Sequence, residues 1–407
     1  MRRTLLVVSG GIEAVPGIRL AKDMGLHVVV SDMNPNAPGS AVADDHIIAS
    51  TYDVEATVAA AERYHEQVRP IHGVMCIASD VPLTVACVAV ALELPGIPVE
   101  AAKLASDKLA MKRRFVEKGI AIPWYSEVDS RAHLRQIVTE RGLPLVLKPV
   151  DSRGARGVLR LTSSTNLGWA YEYSISFSPS QRVMVEEYLE GPQISTESIL
   201  LDGQGYTPGF TDRNYEFMER FSPYMIENGG HQPSILPEDA RQEVAELAVQ
   251  AGRALGVETG VVKGDMVYTL DGPKVIEIAT RLSGGWFSTD QIPLATGVDF
   301  IGAAIRLALG DCVRPEEIQP RYRKAVAIRY FFPDPGRVVA IRNAERFQGV
   351  SWVHKMAFFV KTGDMLGPIT DHTRRAGCVI TTGSSRQQAI ARARKVVETV
   401  KIGTVPA

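Results

Sequence analysis

Short apolar runs alternate with helical segments through the first hundred residues, and this alternation limits the possible folds more than any other feature. The runs TLLVVSGG, HVVVSD and GVMCIASD are each followed along the chain by a segment with helical periodicity, most clearly at 54–67 and 82–92. Strands that alternate with helices form parallel sheets covered by helices on both faces. The sequence therefore predicts an N-terminal α/β domain with a doubly wound parallel sheet over residues 1–106.

A different pattern begins after residue 106, where several β-runs follow one another with fewer helices between them. Two of these runs, at 260–269 and 273–279, are joined by Asp271 and Gly272, which are typical of a hairpin turn. We predict a mixed α+β region over 107–318, with a lid lobe at about 122–187, and a small α+β domain over 319–407.

The composition excludes several classes of protein. The 407 residues have a formal net charge of −1, which gives no reason to expect nucleic acid or an anionic membrane as a partner. The four cysteines form no CxxC pair, so neither disulfides nor structural zinc are expected, and the cytoplasm is the expected compartment. The apolar stretches are too short to span a bilayer.

A loop rich in glycine and arginine follows the strand-like run LVLKP. Gly154 and Gly157 let backbone amides approach an anion, and Arg153 and Arg156 place positive charge at the same point. Together with Lys148 at the end of the strand, this loop suits a nucleotide triphosphate, although the chain has no GxxxxGK[ST] P-loop. A hairpin turn with solvated arginines is the alternative for this stretch considered alone.

Three further strand-like segments contain acids in apolar surroundings. In VMVEEYLEGP only one of Glu186 and Glu187 can face a given cleft, where a carboxylate can bind an adenine amine; a solvated strand end is the alternative. Asp265 in KGDM and Glu277 in VIEIATR lie across the predicted hairpin, and two such carboxylates suit Mg²⁺ bound to nucleotide phosphates. A buried ion pair with Arg281 is the other interpretation of these two acids.

An arginine precedes a glycine pair in RLSGGWFS. Arg281 can bind a phosphate or a carboxylate through two parallel hydrogen bonds, and glycines at 284 and 285 let the backbone approach the bound group. A plain glycine turn is the alternative.

In this order and spacing, these segments resemble the ATP-grasp superfamily. The resemblance extends over nearly the whole chain and rests on Lys108, Lys148-Pro149, the loop at 152–158, EEYLEGP, Asp265, Glu277 and the run from Arg281 to Gly285. It implies an ATP-grasp fold, in which the N-terminal parallel-sheet domain precedes a two-lobed ATP-binding region and a small C-terminal α+β domain. Within the superfamily, the chain is most similar to amino-acid ligases and to relatives of carbamoyl-phosphate synthase and phosphoribosylglycinamide synthetase.

The resemblance assigns nucleotide-binding roles to individual residues. Lys108 and Lys148 would hold phosphates, Glu186 would bind the adenine amine, and Gln193 would bind the ribose, where many relatives have glutamate. The remaining contacts would come from Ser152, Arg153, Gly154, Arg156 and Gly157, which would close over the triphosphate, and from the backbone of Glu187, Tyr188 and Leu189.

The resemblance also implies a metal site and catalytic residues. Asp265 and Glu277 would hold Mg²⁺, with Mn²⁺ as an alternative ion, and Ala279 replaces an asparagine that many relatives use for a second ion. Arg281 and Lys148 would stabilise the phosphoryl group during its transfer.

The acceptor site is expected to include Arg213, Glu227, His231, Arg281, Ser283, Gly284 and Gly285. The stretches 209–231 and 283–300 are expected to form this pocket. They contain Phe210, Tyr215, Phe217, Phe221, Trp286 and Phe287, which suggest that a substrate has an apolar or aromatic portion.

The sequence as a whole predicts an ATP-dependent carboxylate–amine ligase that forms an acyl phosphate and releases ADP and phosphate. Its substrates would be a small-molecule carboxylate and an amine, such as amino acids, and a homodimer is the default state. An ATP-dependent carboxylase of the nucleotide-precursor or biotin type, an acid–thiol ligase and a non-catalytic nucleotide-binding relative remain alternatives. A dinucleotide oxidoreductase is disfavoured because GGIEAVPG lacks the GxGxxG spacing.

Overall fold

Residues 2–406 are described by a computed structural model and contain nineteen β-strands and eleven α-helices. The strands are β1 Thr4–Val8, β2 His27–Ser31, β3 Asp45–Ile47, β4 Gly73–Met75, β5 Tyr125–Val128, β6 Leu145–Pro149, β7 Leu159–Leu161, β8 Val183–Glu187, β9 Gln193–Leu201, β10 Gln204–Arg213, β11 Gly230–Gln232, β12 Gly260–Thr269, β13 Gly272–Ala279, β14 Ala325–Tyr330, β15 Gly336–Arg342, β16 Val353–Phe358, β17 Met365–Leu366, β18 Gly377–Gly383 and β19 Lys401–Val405. The helices are α1 Val15–Asp23, α2 Val54–Gln67, α3 Pro82–Ala91, α4 Val99–Ser106, α5 Lys108–Glu117, α6 Arg131–Arg141, α7 Leu167–Ile175, α8 Glu238–Ala254, α9 Ile292–Thr296, α10 Phe300–Ala308 and α11 Arg386–Thr399. None of the helices in this range combines the length and the apolar character that crossing a bilayer requires.

The first four strands form a parallel sheet in the order β3-β2-β1-β4. All five residues of β1 are buried, because helices cover both faces of the sheet. Ile18 of α1 and Ile301 of α10 pack on one face, and Ala61 of α2 and Val88 of α3 pack on the other. The predicted doubly wound parallel sheet is therefore confirmed.

A second sheet has four antiparallel strands in the order β5-β8-β6-β7, with α6 and α7 packed on one face. Val146 of β6 lies opposite Glu186 of β8, and Lys148 lies opposite Met184. Opposed residues of neighbouring strands share a face of the sheet, so Lys148 and Glu186 are diagonal neighbours on the same face. The register thus brings together two side chains that are 38 positions apart in the chain.

The largest sheet is antiparallel and has the order β13-β12-β9-β10-β11-β14-β18-β16. Asp265 of β12 lies opposite Glu277 of β13 on one side and opposite Ser195 of β9 on the other. Strand β11 pairs with β14, so strands from both sides of residue 318 share this sheet, and α11 covers its C-terminal part. A three-stranded sheet, β17-β15-β19, completes the described chain. The domain limits at 106 and 318 remain predictions.

Candidate active site

Two adjoining cavities are lined by residues from the parallel sheet, the second sheet and the eight-stranded sheet. The smaller cavity has a volume of about 230 Å³ and the larger about 500 Å³. The residues that line both, and so mark their junction, are Asp80, Gly154, Arg213, Lys263, Arg281 and His372.

The structure separates the predicted nucleotide and acceptor residues into these neighbouring cavities. The predicted nucleotide and metal residues that line the smaller cavity are Lys108, Lys148, Ser152, Gly154, Glu186, Glu187, Tyr188, Leu189, Gln193, Asp265 and Glu277. The predicted acceptor residues Glu227, Ser283, Gly284 and Gly285 line the larger cavity.

A buried cluster of two lysines and one glutamate lies beside the smaller cavity. Lys148 Nζ is 2.5 Å from Glu186 Oε1, and Lys112 Nζ is 3.3 Å from Glu186 Oε2. Burial disfavours the charged carboxylate, but the two ammonium groups outweigh burial and hold the pKa of Glu186 below its ordinary value. Within the described chain the partner of Glu186 Oε2 is Lys112 alone, so this carboxylate, which lines the smaller cavity, keeps acceptor capacity for an amine of a ligand.

Lys112 is a member of this cluster that the sequence analysis does not identify. It lies one helical turn after Lys108 in α5, is 1% exposed, and donates to the backbone oxygen of Val275 at 3.2 Å. Burial lowers the pKa of Lys112 to about 8, against the opposing effect of Glu186. The i, i+4 spacing of two lysines at the start of a helix is the sequence signal that could have identified it.

Asp265 and Glu277 lie opposite each other at the smaller cavity but differ in their partners. Asp265 contacts Lys263 and lies 3.0 Å from Arg213 Nη1. Burial alone would raise the pKa of Asp265, but these two cations outweigh burial and lower the pKa well below its ordinary value. Among the described residues, Glu277 has a single ionic partner, Lys108, at 3.5 Å. Glu277 is therefore the carboxylate with more oxygen capacity left for a ligand.

Arg281 lines both cavities and pairs with an acid that follows the N-terminal parallel sheet. Its Nε donates to Asp80 Oδ1 at 2.6 Å. Burial disfavours the guanidinium, but Asp80 outweighs burial and raises the pKa of Arg281 above its ordinary value. In the part of the chain that the structure covers, Arg281 thus pairs with Asp80 rather than with Asp265 or Glu277. The place of Asp80 after β4, at the carboxyl end of a parallel sheet, is the signal that could have identified it.

A buried carboxylate lies beneath the loop at 283–288, which contains Gly284 and Gly285, lines the larger cavity and is called the glycine loop below. Glu197 of β9 is fully buried and accepts hydrogen bonds from Ser283 N at 2.8 Å and from Ser288 Oγ at 2.6 Å. Burial raises the pKa of Glu197 to about 7, although these hydrogen bonds act in the opposite direction. Glu197 therefore fixes both ends of the loop from below without lining the cavity.

Gly284 and Gly285 occupy positions that a side chain could enter only if a neighbouring side chain moved. A Cβ on Gly284 would lie 2.8 Å from Glu13 Oε2. Gly285 has a φ of +66° and donates its N–H to Glu13 Oε2 at 3.0 Å, and a Cβ there would lie 2.8 Å from the Tyr330 hydroxyl. The loop backbone is therefore held at the cavity surface between two side chains.

The arginine–glycine loop at 152–158 contacts both the N-terminal and the C-terminal parts of the chain. Gly154 O accepts a hydrogen bond from His372 N at 3.0 Å. The guanidinium carbon of Arg153 lies 4.4 Å from the ring centroid of Tyr52, which is a cation–π contact. The loop therefore covers the junction of the two cavities.

Arg153, Arg156 and Gly157 line neither cavity, and their contact with a nucleotide remains a prediction. Arg156 Nε donates to Arg153 O at 3.0 Å, so this side chain stabilises the loop itself. Gly157 has a φ of +74°, and a Cβ there would lie 2.7 Å from Pro149 Cγ, so glycine allows the loop to turn back over the strand.

Two segments of the chain match known protein families. Residues 105–285 match the family profile of the ATP-grasp domain, and residues 329–405 match that of the L-amino acid ligase C-terminal domain 2. The whole fold matches the crystal structure of an L-amino acid ligase from Bacillus licheniformis, with a TM-score of 0.83 and 20% identity over 99% of each chain. The chain belongs to the ATP-grasp superfamily. A phosphoribosylglycinamide synthetase from Anaerococcus prevotii has the same fold, with a TM-score of 0.75 and 16% identity over 100% of each chain.

Relatives by sequence extend across different parts of this ATP-grasp protein. The uncharacterized protein y4rH of Sinorhizobium fredii is 26% identical over 341 residues, which are 81% of this chain and 68% of that protein. The D-alanine–D-alanine ligase of Bordetella avium is 30% identical over 221 residues, which are 50% of this chain and 66% of that enzyme. The chain thus spans about two thirds of the length of these relatives.

ATP-grasp enzymes use ATP and Mg²⁺, and the smaller cavity has side chains that fit both. The Glu186 carboxylate can accept a hydrogen bond from the adenine amine, and Lys108 and Lys148 can neutralise phosphates. Within residues 2–406 no three acidic, histidine or cysteine side chains form a ready metal site. Asp265 and Glu277 could therefore hold Mg²⁺ only together with phosphate oxygens, which is the coordination that this ion favours in nucleotide sites.

Hydrogen exchange of the arginine–glycine loop at 152–158 should slow when nucleotide binds. The amides of Gly154, Ala155 and Gly157 donate no hydrogen bond to any described residue, so they are free to bind phosphate oxygens. We expect deuterium uptake of a peptide covering 151–158 to fall when an ATP analogue and Mg²⁺ are added, while a peptide covering the outlying turn at 361–366 stays unchanged. Equal uptake with and without saturating analogue would mean that the loop does not bind phosphate.

Replacing Glu197 by glutamine should change how stability depends on pH. The folded-state pKa of Glu197 is raised from 4.5 to about 7, so the stabilisation by its protonated form is complete below pH 4.5 and is lost as pH rises through 7. Glutamine keeps the neutral form at every pH. As pH rises from 5 to 8, the free energy of unfolding of the wild type should therefore fall by about 3 kcal/mol, and that of Glu197→Gln should not show this fall. Urea denaturation at each pH measures the difference. Glu345→Gln, at an exposed position, should show the same fall as the wild type.

His231 lies outside both cavities, contrary to its predicted place in the acceptor site. It is the middle residue of β11, is 7% exposed, and lies 3.4 Å from Arg386 on the face that α11 covers. Its neighbour Gly230 lines the larger cavity instead, because successive strand residues point to opposite faces. Burial, aided by Arg329 and Arg386, lowers the pKa of His231 to about 3, so it is neutral at physiological pH.

The predicted aromatic pocket is mostly elsewhere in the fold. Of the six aromatic residues, Phe287 lines the larger cavity and Tyr215 lines the smaller one. Phe217 and Phe221 pack against Phe332, with ring centroids 6.0 and 5.1 Å from it. The aromatic surface of the larger cavity is completed by residues that sequence reasoning missed, Tyr330 and Phe359.

Proposed function

We propose that this protein is an ATP-dependent carboxylate–amine ligase that joins two small molecules through an acyl phosphate. The observation that carries the proposal is the junction of the two cavities at Arg281. The smaller cavity has the lysines and carboxylates that suit a nucleotide triphosphate with Mg²⁺. The larger cavity has the glycine loop and both acidic and basic side chains. A group held at the junction would contact both the terminal phosphate and the acceptor.

The reaction has two bond-forming steps. An oxygen of the substrate carboxylate attacks the γ-phosphorus of ATP, so an O–P bond forms and the bond to ADP breaks. The amine nitrogen of the second substrate then attacks the acyl carbon, the bond to phosphate breaks, and the nitrogen loses a proton as the amide forms. Asp265 and Glu277 would hold Mg²⁺, which would supply positive charge to the phosphate oxygens.

The chain's own residues support this reaction by charge and position. Arg281 stabilises the negative charge on the transferring phosphoryl group, and Asp80 keeps its guanidinium in place. Lys148 neutralises nucleotide phosphate, and Glu186 orients the base. The amides of the 152–158 loop bind the triphosphate and exclude water, which protects the acyl phosphate from hydrolysis.

Amino acids are the proposed substrates. The relatives named as D-alanine–D-alanine ligase and L-amino acid ligase support this choice. The charges of the larger cavity support it independently, because Glu13 suits an ammonium group while Arg281 and Arg375 suit carboxylates.

A screen of amino acids, singly and in pairs, with ATP and Mg²⁺ tests the proposal. We expect phosphate release with particular pairs, ADP as the nucleotide product on chromatography, and a dipeptide in the mass spectrum. AMP as the main product would contradict the acyl-phosphate mechanism. ADP release that requires bicarbonate and no amino acid would instead favour a carboxylase.

A further inference from the structure

Arg375 lies in the wall of the larger cavity and suits a carboxylate, but neither bond-forming step of the proposed reaction assigns it a particular substrate. It follows the short helix His372–Arg374, lies two residues before the start of β18, and is 8% exposed. It lines the larger cavity but not the smaller one. A ligand that binds Arg375 is therefore a group of the acceptor site and not a nucleotide phosphate.

The surrounding residues fix the guanidinium of Arg375 but do not neutralise it well. Its Nη2 donates to the backbone oxygen of Glu227 at 2.6 Å, and its central carbon lies 3.9 Å from the ring centroid of Tyr330. The nearest carboxylate among the described residues is that of Glu227, at 3.6 Å, and this carboxylate is already bound by Arg213 at 2.6 Å. Arg375 Nε makes no hydrogen bond within residues 2–406.

The other cations of the larger cavity have closer partners. Arg281 is 2.6 Å from Asp80, and Arg213 has carboxylates at 2.6 and 3.0 Å. A buried cation without a close anion is unfavourable unless a ligand supplies the opposite charge. Arg375 is therefore the cation of this cavity that most lacks an anionic partner.

We propose that Arg375 binds the free carboxylate of the amine substrate, so that this substrate must itself be an amino acid. This proposal rests on the ligase function proposed above. A guanidinium fixed by Tyr330 and Glu227 can bind a carboxylate through two parallel hydrogen bonds. Because Arg375 does not line the nucleotide cavity, a carboxylate held there is kept from the γ-phosphate. Only the carboxylate of the other substrate is then activated at Arg281.

The test compares an amino acid with its amide as the amine substrate, in the wild type, in Arg375→Met and in Arg375→Lys. The amide is the same molecule without the negative charge. For the wild type we expect KM for the amide to be about 30-fold above KM for the acid, the size of a charge-assisted contact. Arg375→Met should raise KM for the acid by a similar factor and leave KM for the amide within about twofold, and Arg375→Lys should lie between. The affinity for MgADP should be unchanged in both variants.

Each result decides the proposal. A wild type that uses amide and acid equally well, or a variant that loses both equally, would overturn the role of Arg375. Should Arg375→Met lose MgADP binding and so fail to fold, the ratio of acid to amide in the wild type decides alone. If no pair of amino acids releases ADP, the ligase function fails separately. In that case, equilibrium dialysis measures how labelled amino acids bind to the protein in the presence of MgADP. The proposal would be overturned if the wild type bound none of them, or if Arg375→Met bound them as tightly as the wild type.

Discussion

Glu277→Gln is expected to lower the rate of ADP formation by about 10³-fold, which corresponds to about 4 kcal/mol of transition-state stabilisation. Glu277 has one distant ionic partner, Lys108 at 3.5 Å, so its oxygens are the ones left for a metal ion. A neutral amide of the same size cannot replace a charged ligand of Mg²⁺. The measurement is ADP release with the amino-acid pair found in the screen, over a range of Mg²⁺ concentrations.

Two controls separate a metal ligand from a structural acid at position 277. Glu398→Gln changes the charge equally at an exposed position and should retain the wild-type rate. The melting temperature of Glu277→Gln should stay close to that of the wild type, because its side chain is partly exposed. Near-normal turnover of Glu277→Gln at millimolar Mg²⁺ would mean that the acid does not bind the metal.

Arg281→Lys is expected to lower kcat by about 10²- to 10³-fold with little change in the affinity for MgADP. Lysine keeps the charge but lacks the planar fork that can bind Asp80 and a phosphoryl oxygen at once. Lysine is also the safer choice, since removing the charge would leave the partly buried Asp80 without its ionic partner and destabilise the fold.

A single-turnover measurement of phosphate release checks this second prediction. Arg306→Lys makes the same change in an ion pair with Glu317 that lies outside both cavities, and it should leave kcat unchanged. A loss of MgADP affinity as large as the loss of kcat would indicate that Arg281 binds the ground state rather than the transferring group.

Two regularities of β-strands predict part of the arrangement of strand residues around the smaller cavity, because neither regularity depends on the rest of the fold. Side chains alternate along a strand, which separates the buried Glu186 from the exposed Glu187. A two-residue turn pairs Thr269 with Gly272, so Asp265 and Glu277 are predicted to lie close together across the hairpin. A β-bulge between Asp265 and Met266 then shifts the register by one residue and places Asp265 directly opposite Glu277, which local sequence does not predict.

The partners of these residues cannot be predicted in the same way, because they come from distant parts of the chain. Asp80 and Arg281 are 201 positions apart, and Lys112 and the backbone of Val275 are 163 positions apart. Glu197 lies in a strand, QISTESILL, whose neighbours give no sign that a carboxylate will be buried beneath a loop. These contacts depend on how the sheets pack, which no spacing within one segment encodes.

Some elements also depend on tertiary packing. The sequence does not predict α7, LGWAYEYSI, because its glycine and aromatic residues have low intrinsic helix propensity. Its capping residue Asn166 and its packing against the second sheet stabilise the helix. Likewise, ENGGHQPS suggests a loop, whereas its three strand residues pair with β10 and β14. The face of His231 could not be known without those partners.

For protein engineering, the glycine loop divides the wall of the acceptor cavity into fixed and adjustable positions. Any side chain at Gly284 or Gly285 would displace a neighbouring residue that holds the loop. Libraries aimed at new substrates therefore belong at Ile12, Ile328 and Phe359, apolar residues that line the same cavity without bearing charge. Side-chain volume at these three positions should tune which molecules are joined, while nucleotide use stays the same.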